Sequence, residues 1–312
     1  MKRYFLGIDT SCYTTSCAII DDELHIVGEA RKILDVKPGM KGLQQSNMVF
    51  QHTKVLPRLI EELPQVPLSG IGVSAFPRRS DDSYMPAFLV GHGFARALSH
   101  MMQVPMYEFA HQENHILAAL REIGHVPTFP FYSLHLSGGT TELVLTEYKG
   151  KGIFESSIIG GSKDLQGGQF VDRVGVALGI QFPCGKELEL LASQTDTYDP
   201  LPSSVKEGWI SFAGPCSAAL RYIEKGASPA SMSKALFSCI GNSLEKLLTY
   251  HLKHTPVSTL IAVGGVMSNS ILRNRLNGFC HKNNVTVHFA NPKFSVDNAT
   301  GNAYGVFLAT QK

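Results

Sequence analysis

The sequence lacks a long apolar run, since nothing in its 312 residues approaches the ~18–20 consecutive apolar residues that a transmembrane helix requires. The opening residues, Met1-Lys-Arg-Tyr4, lead into a strand-like segment instead of a signal peptide. The six cysteines form no CxxC pair and lie in apolar or glycine-rich contexts, which is typical of reduced structural thiols. We therefore expect a cytoplasmic chain with neither membrane contact nor a disulfide framework.

The chain also has almost no net charge, because 28 Lys and Arg residues nearly balance 26 Asp and Glu residues. A protein that binds nucleic acid by itself needs an excess of cationic side chains on its surface. The composition therefore excludes a self-sufficient nucleic-acid binder. An RNA partner would have to be bound by a local patch or through a second subunit.

One strand–turn–strand pattern occurs twice. Residues 6–20 contain two apolar strands separated by a small polar turn. Residues 134–146 also contain two short apolar strands, here separated by the turn Ser-Gly-Gly-Thr-Thr. Such an internal duplication predicts two related α/β lobes with a cleft between them, and 44% hydrophobic residues are enough for a large core. Pro127 and Pro130 mark the expected boundary, which gives lobes of residues 1–128 and 129–312.

Two histidines four residues apart, in His111-Gln-Glu-Asn-His115, indicate a metal site. On a helix this spacing places both imidazoles on one face, about 5–6 Å apart at Cβ, so that they can share one divalent cation. Asp297, in a polar glycine-containing turn near the C-terminus, is the candidate third ligand. The alternative is a chance pair on a solvated helix, in a chain with 12 histidines.

Glycine turns provide candidate nucleotide contacts. Backbone N–H groups in turns such as residues 137–141 can surround phosphate or carboxylate oxygens, because no bulky side chain blocks them. Gly264-Gly265 precedes a predicted helix, so a nucleotide could lie against the helix N-terminus and contact Asn269. Tight turns between strands also recruit glycine and threonine for purely structural reasons, so no turn is decisive alone.

The order of these turns resembles the actin, sugar-kinase and heat-shock ATPase superfamily, whose duplicated ribonuclease-H-like lobes enclose a nucleotide. Within it, nearly the whole chain is similar to the catalytic subunits of tRNA threonylcarbamoyladenosine synthase, formerly labelled O-sialoglycoprotein endopeptidases. Leu-Gly-Ile-Asp-Thr-Ser-Cys at residues 6–12 matches the opening strand and turn, and Pro86-Ala-Phe-Leu-Val-Gly91 matches the glycine-rich helix entry. His111 and His115 match the HxExH metal motif of this family, and Asp297 matches its third ligand.

The resemblance implies a role for each matching residue. The family binds iron or zinc at His111, His115 and Asp297, and an adenine nucleotide or acyl-adenylate as substrate. Its substrate contacts fall on Ser137, Gly138, Gly139, Thr140, Thr141, Asp172, Gly185, Glu189 and Asn269. Asp9 and His52 are the candidate catalytic residues. Asp9 could equally cap the first turn. His52 could equally be a buried side chain whose ring is hydrogen-bonded. Glu113 is expected to contact the residues around the metal ligands, or solvent.

Departures from the family pattern concentrate around the acyl acceptor. Tyr13 and Thr14 replace two acidic residues, Thr140 replaces the histidine of Ser-Gly-Gly-His-Thr, and Cys216 stands where the family has lysine. Cys184 lies in Phe182-Pro-Cys-Gly-Lys186, which replaces Tyr-Pro-Gly-Gly-Pro. Cys184 and Cys216 as nucleophiles are a weaker hypothesis, because neither has an evident histidine partner.

The implied reaction transfers a threonylcarbamoyl group from its adenylate to N6 of the tRNA adenosine beside the anticodon. The resemblance also implies partners: tRNA through accessory subunits, an adenylate-forming enzyme and a related actin-fold subunit, with no membrane. The departures keep two alternatives open, a carbamoyl or acyl transferase with a different acceptor and a non-catalytic partner-binding paralogue. A metalloprotease is disfavoured, since no glutamate directly follows the first histidine.

Overall fold

A computed structural model describes residues 2–36, 43–79, 83–291 and 297–311. These residues fall into two compact units. The first is drawn from residues 1–128, 148–155 and 293–312, and the second from residues 129–147 and 156–292. In the described part of the chain, no helix is both long and apolar enough to cross a membrane.

The first unit is built on a five-stranded sheet. Its strands are β1 (Tyr4–Asp9), β2 (Thr14–Asp21), β3 (Ile26–Ile33), β4 (Leu68–Phe76) and β5 (Met106–Ala110), in the order β3-β2-β1-β4-β5. The first three strands pair antiparallel, whereas β4 and β5 run parallel to β1. The helices of this unit are α1 (Gln45–Glu61), α2 (Phe88–Met102), α3 (His111–Ile123) and the C-terminal helix, α9 (Thr300–Ala309).

The second unit contains a seven-stranded sheet. Its strands are β6 (Phe131–Leu136), β7 (Thr141–Gly150), β8 (Ile153–Ser162), β9 (Ser204–Lys206), β10 (Trp209–Ser211), β11 (Thr259–Val263) and β12 (Thr286–Phe289), in the order β12-β11-β6-β7-β8-β10-β9. Its helices are α4 (Gly167–Ala177), α5 (Gly185–Ala192), α6 (Ala213–Glu224), α7 (Pro229–His254), a 3₁₀ turn (Gly265–Ser268) and α8 (Ser270–Lys282). The order β8-β7-β6-β11-β12 repeats that of the first sheet, as the predicted duplication requires.

The division into units differs from the predicted lobes at the C-terminus. The prediction assigned residues 129–312 to one lobe, whereas α9 packs on the first sheet. A Cβ at Gly7 would lie 2.0 Å from the Ala299 carbonyl oxygen. A Cβ at Gly72 would lie 2.3 Å from the Asn302 carbonyl oxygen. Only glycine on β1 and β4 allows the helix backbone to approach so closely. Asp297, three residues before α9, therefore belongs to the first unit.

Each unit buries its own apolar core. In the first, Leu6, Ile8 and Val73 from the sheet pack with Leu56 of α1, and in the second the long helix α7 lies among strands and helices with most of its length buried. Burial of apolar surface at about 25 cal/mol per Å² is the main stabilising contribution in both. Two sheets flanked by helices confirm the α/β prediction.

Asp164 connects the end of β8 to the start of α6. Its carboxylate accepts hydrogen bonds from the Ser211 hydroxyl at 2.5 Å and from the N–H groups of Phe212 at 2.9 Å and Ala213 at 3.3 Å. Burial raises the pKa of Asp164, but these bonds and one from the Leu165 N–H outweigh it, so that the pKa lies below its usual value. Asp164 thus caps a helix from a distant segment.

We expect Asp164→Asn to lower the free energy of unfolding by about 1 kcal/mol at pH 7. A depressed folded-state pKa stabilises the protein above the unfolded pKa, and this contribution disappears as the pH falls through the folded value. The difference from the unmodified chain should therefore shrink below about pH 4 in urea titrations. Asp199→Asn, at another exposed aspartate of the same unit, is the control. An equal decrease in the free energy of unfolding at pH 3 and pH 7 would refute the helix-capping role of Asp164.

Candidate functional site

The metal motif lies in the first turn of α3, and Glu113 fixes where that helix begins. The Glu113 carboxylate accepts the Ala110 N–H at 2.7 Å and forms two hydrogen bonds with the Arg79 guanidinium, at 2.9 and 2.8 Å. Glu113 is 3% exposed. It is therefore neither a solvent contact nor a free base, because both oxygens are occupied in holding the N-terminus of the helix.

Three candidate ligands converge at this turn. The Nε2 atoms of His111 and His115 are 3.1 Å apart, and Asp297 Oδ1 lies 3.5 Å from the first and 3.6 Å from the second. Ligands at 2.0–2.1 Å around a tetrahedral ion are separated by about 3.3–3.4 Å. The three atoms therefore have the spacing of ligands that share one cation, and two imidazoles with one carboxylate suit iron or zinc.

Asp9 lies behind His111. Its Oδ2 is 3.6 Å from His111 Nδ1, a buried nitrogen for which the described residues supply no hydrogen-bond partner. A carboxylate on this side turns the opposite nitrogen, Nε2, toward the shared position. Burial lowers the pKa of His111, but the charge of Asp9 and contacts with Asp297, Asp9 and Cys12 outweigh it and raise the pKa well above its ordinary value.

Asp9 also caps the first turn, as its alternative role predicted. Its carboxylate accepts the Ser11 N–H at 3.3 Å and the Ser11 hydroxyl at 3.1 Å. On the opposite side of the site, burial would raise the pKa of Asp297, but hydrogen bonds and charge from His111 and His115 hold it well below its usual range. Asp297 is therefore ionised beside the imidazoles at neutral pH.

His52 is fully buried with both ring nitrogens engaged. Its Nδ1 accepts from the Thr15 hydroxyl at 2.8 Å, and its Nε2 donates to the Cys12 carbonyl oxygen at 3.1 Å. A carbonyl oxygen only accepts, so Nε2 carries a proton; burial lowers the pKa of His52, which favours the neutral ring. This geometry favours the buried, hydrogen-bonded alternative, in which His52 positions the turn that carries Cys12.

Asn114, between the two histidines, ties the segment directly after Asp297 to α3. Its side-chain N–H donates to the Asn298 carbonyl oxygen at 2.6 Å, and its Oδ1 accepts the Asn302 N–H at 2.8 Å. Asn114 is completely buried. Sequence reasoning missed this residue because the partners are more than 180 residues away along the chain.

Sequence reasoning also missed Cys12. Its thiol, with His111 and Asp297, forms a group whose ligand atoms all lie within 4.8 Å of one another. Cys184 and Cys216, the two cysteines that the sequence offers as candidate nucleophiles, are buried, and burial raises the pKa of both thiols. Thiols with raised pKa are poor nucleophiles.

The predicted substrate turn of the second unit joins β6 to β7. The Ser137 N–H donates to the Thr140 carbonyl oxygen at 2.8 Å, and the Thr140 N–H donates to Ser137 Oγ at 3.1 Å. Within the described residues, no hydrogen bond engages the N–H groups of Gly138 and Gly139. Both glycines are exposed, so these two donors remain open to an anion.

Helix α4 begins directly beside this turn. The Gly168 N–H donates to the Ser137 carbonyl oxygen at 3.0 Å, and the Gly167 N–H donates to Thr141 Oγ1 at 2.8 Å. A Cβ at Gly168 would lie 2.6 Å from Gly138 Cα, so the approach requires glycine. The positive end of a helix dipole thus adjoins the open donors.

Among the residues that the structure describes, the side-chain amide nitrogen of Asn269 is an unpaired hydrogen-bond donor. Asn269 Oδ1 caps α8 by accepting the Leu272 N–H at 3.0 Å, whereas its Nδ2 is buried and finds no hydrogen-bond partner in the described part of the chain. Glu189 lies beside it, accepting the Ser270 N–H at 2.7 Å and also the Ser270 hydroxyl. A buried unpaired amide N–H costs about 1–3 kcal/mol, which a ligand oxygen or ring nitrogen would recover.

Two of the remaining predicted substrate residues lie in α4 and at the start of α5. Asp172 Oδ1 accepts the Cys184 N–H at 3.0 Å, directly before Gly185 at the start of α5. Gly185 is half-buried, and a Cβ there would meet only Val171 in ordinary contact. The structure therefore brings Asp172 and Gly185 together, and it joins Glu189 to the Asn269 turn.

Comparison with known proteins shows the family of the chain. The profile of the tRNA N6-adenosine threonylcarbamoyltransferase family matches residues 84–304. The chain belongs to this family. The enzymes of that name from two strains of Thermus thermophilus are each 30% identical to it over 299 residues, which covers 95% of the chain and 89% and 88% of theirs. Members of the family are transferases that process tRNA, so the resemblance read from the sequence is confirmed.

Solved structures show the fold at much lower identity. Full-length HypF in a phosphate- and nucleotide-bound form has a TM-score of 0.62 at 14% identity, covering 98% of this chain and 55% of its own. Component A of Acidaminococcus fermentans (R)-2-hydroxyglutaryl-CoA dehydratase has a TM-score of 0.59 at 13% identity, covering 98% of each chain. A Streptomyces griseus glucokinase has a TM-score of 0.54 at 12% identity, covering 96% of this chain and 98% of its own. These likenesses confirm the actin-like ATPase and sugar-kinase fold.

Proposed function

We propose that the chain transfers a threonylcarbamoyl group from threonylcarbamoyl-adenylate to N6 of the tRNA adenosine beside the anticodon, in a metal-dependent reaction. The observation that supports it best is the convergence of His111, His115 and Asp297 in a member of this family, with ligand-atom spacings of 3.1–3.6 Å. A purely structural helix would not require two imidazole nitrogens and a carboxylate to face one point.

The difficult step is attack by an aromatic exocyclic amine, which is a poor nucleophile. His111, His115 and Asp297 would hold an iron or zinc ion, which would supply Lewis acidity toward the acyl carbonyl. His111 and His115 present their Nε2 atoms, Asp297 adds a negative charge, and Asp9 holds His111 in the required orientation. Both ring nitrogens of the neutral His52 are hydrogen-bonded, so His52 holds the adjacent turn in place and transfers no proton.

We assign the adenylate to the second unit. The open N–H groups of Gly138 and Gly139 would bind phosphate or developing oxyanion oxygens, and each well-placed donor contributes roughly 2.7–4 kcal/mol. Asn269 would donate its free N–H to the adenosine moiety, with Asp172, Gly185 and Glu189 around the ribose. This arrangement needs no serine or cysteine nucleophile, in agreement with the burial of Cys184 and Cys216.

We further propose that tRNA is bound with accessory subunits. The formal charge of +2 over 312 residues provides too little electrostatic attraction for strong binding by this chain alone. An adenylate-forming enzyme must supply the acyl donor, and a related actin-fold subunit is a proposed partner. We propose a cytoplasmic location, where tRNA is available.

The proposed activity can be tested by incubating the purified chain, with and without its accessory proteins, with threonylcarbamoyl-adenylate and unmodified tRNA. Mass spectrometry of the digested tRNA should show N6-threonylcarbamoyladenosine, and a tRNA with guanosine at the target position should not be modified. If no tRNA nucleoside is modified in any combination, the proposal is wrong.

The same assay distinguishes the alternative acceptor. Tyr13, Thr14, Thr140 and Cys216 depart from the family pattern and favour transfer of a carbamoyl or acyl group to another molecule. Carbamoyl phosphate, ATP and small candidate acceptors would replace the tRNA and adenylate. A carbamoylated small product without tRNA modification would select this alternative. Absence of any product would favour a non-catalytic partner-binding protein.

The role of Asn269 can be separated from its helix cap. Asn269→Asp keeps the oxygen that accepts the Leu272 N–H but removes the free Nδ2 donor. We expect adenylate affinity, measured by calorimetry with a non-hydrolysable analogue, to fall by about tenfold or more, since a hydrogen bond to a charged or buried partner is lost. Thermal unfolding should be almost unchanged. Unaltered affinity would remove Asn269 from the binding site.

A further inference from the structure

The turn after β1 brings a soft ligand to the proposed metal site. We infer that Cys12 Sγ is a fourth protein ligand of the same cation, and this inference rests on the proposed metal site. The ligand atoms of Cys12, His111 and Asp297 all lie within 4.8 Å of one another. Cys12 is also the one partly exposed cysteine, since the other five are buried.

The chain holds Cys12 in position through its backbone. His52 Nε2 donates to the Cys12 carbonyl oxygen at 3.1 Å, and the Thr15 hydroxyl fixes the other side of the ring at 2.8 Å. Asp9, which orients His111, also caps the turn through Ser11. Asp9 and His52 thus both hold the turn that carries the thiol, and Asp9 Oδ2 also lies 3.6 Å from His111 Nδ1.

The distances are compatible with a shared ion. Zinc bonds sulfur at about 2.3 Å and nitrogen at about 2.0–2.1 Å, which separates the two ligand atoms by roughly 3.6 Å. From a separation of at most 4.8 Å to the ligand atoms of His111 and Asp297, Cys12 Sγ needs to approach by only about 1 Å, within the reach of a small χ1 change. Its partial exposure leaves room for that movement.

A thiolate changes which metals the site prefers. Two imidazoles and a carboxylate alone accept most divalent first-row ions, whereas sulfur selects zinc and iron(II) over magnesium and manganese. Binding replaces the thiol proton with the metal–sulfur bond, and the proton passes to solvent. Cys12 is therefore a specificity-determining residue for the metal.

The inference can be tested on the unmodified chain by iodoacetamide labelling after metal removal, with and without added Zn²⁺. Peptide mapping should find Cys12 labelled fastest without metal and protected about tenfold or more with Zn²⁺, because a coordinated thiolate is no longer a free nucleophile. The five buried cysteines serve as internal controls. Equal labelling of Cys12 in both conditions would overturn the inference.

Cobalt substitution gives a second readout that is independent of steric shielding. The Co²⁺-loaded chain should show a thiolate-to-cobalt charge-transfer band in the near ultraviolet, and Cys12→Ser should lose it while His111 and His115 still bind the ion. Co²⁺ binding without the band in the unmodified chain overturns only the role of Cys12. Unchanged Co²⁺ binding after combined His111→Ala and His115→Ala would instead refute the proposed metal site.

Discussion

Gly301→Ala should disrupt the metal site without altering any ligand. A Cβ at Gly301 would lie 2.0 Å from the Asn114 carbonyl oxygen and 2.8 Å from the Ala118 N atom, so α9 must move away from α3. That displacement should lower the free energy of unfolding of the first unit by about 2–4 kcal/mol. Because Asp297 lies only three residues before α9, zinc affinity should fall by about tenfold or more.

Gly93→Ala provides the matched control for this experiment. Gly93 is an exposed glycine within α2 of the same unit, and a Cβ there would meet no atom within 4 Å. It should stabilise the protein by about 0.5–1 kcal/mol, because alanine restricts the unfolded chain. Calorimetric zinc titration and urea unfolding of both variants measure the effects. Normal zinc affinity in Gly301→Ala would show that helix packing does not position Asp297.

Combined replacement of His111 and His115 by alanine should abolish transfer. If the ion polarises the acyl carbonyl, its loss removes several kcal/mol of transition-state stabilisation, which corresponds to a rate decrease of about a thousandfold or more. Single-turnover formation of N6-threonylcarbamoyladenosine is the measurement, and circular dichroism should confirm that the variant remains folded.

Replacement of His281 and His288 by alanine is the control for this double variant. Both histidines lie in the second unit and outside the proposed substrate turns. Transfer by the control should stay within a few-fold of the unmodified chain. Transfer at the original rate after loss of His111 and His115 would exclude a metal-dependent reaction at this site.

The sequence was sufficient to predict the local elements. Residues 6–20 form β1 and β2, the amphipathic segment from Gln44 to Leu63 contains α1, and the duplicated design reappears as the same order of strands in both sheets. These features follow from apolar periodicity and turn residues, which act over a few neighbouring positions. The three-residue strands β9 and β10 escaped prediction because so short a segment carries no periodicity.

Long-range packing could not be read in the same way. The sequence predicts Asp297 as a ligand but places it in the second lobe, whereas α9 joins the first sheet through close backbone contacts at Gly7 and Gly72. The sequence gives no sign that Asn114 holds the residues after Asp297 against α3. Such contacts depend on which glycine or amide meets which backbone group in three dimensions. The spacing of residues along the chain does not indicate which backbone group each glycine or amide contacts.

The proximity of Cys12 was equally inaccessible. Nothing within residues 6–12 distinguishes a structural thiol from a metal ligand, and the choice depends on where α3 lies relative to β1. Cys184 and Cys216 lie in motifs that depart from the family pattern, yet both are buried in the core of the second unit. Exposure and the neighbouring ligand atoms decide the role of a cysteine here, and both are properties of the folded chain.

Metal stoichiometry of the purified protein tests the central claim most directly. Plasma emission spectrometry should find close to one iron or zinc per chain, and almost none after combined His111→Ala and His115→Ala. The His281→Ala and His288→Ala control should keep its metal. A folded double variant with undiminished metal content, or an unmodified chain that binds neither ion when either is supplied, would contradict the account.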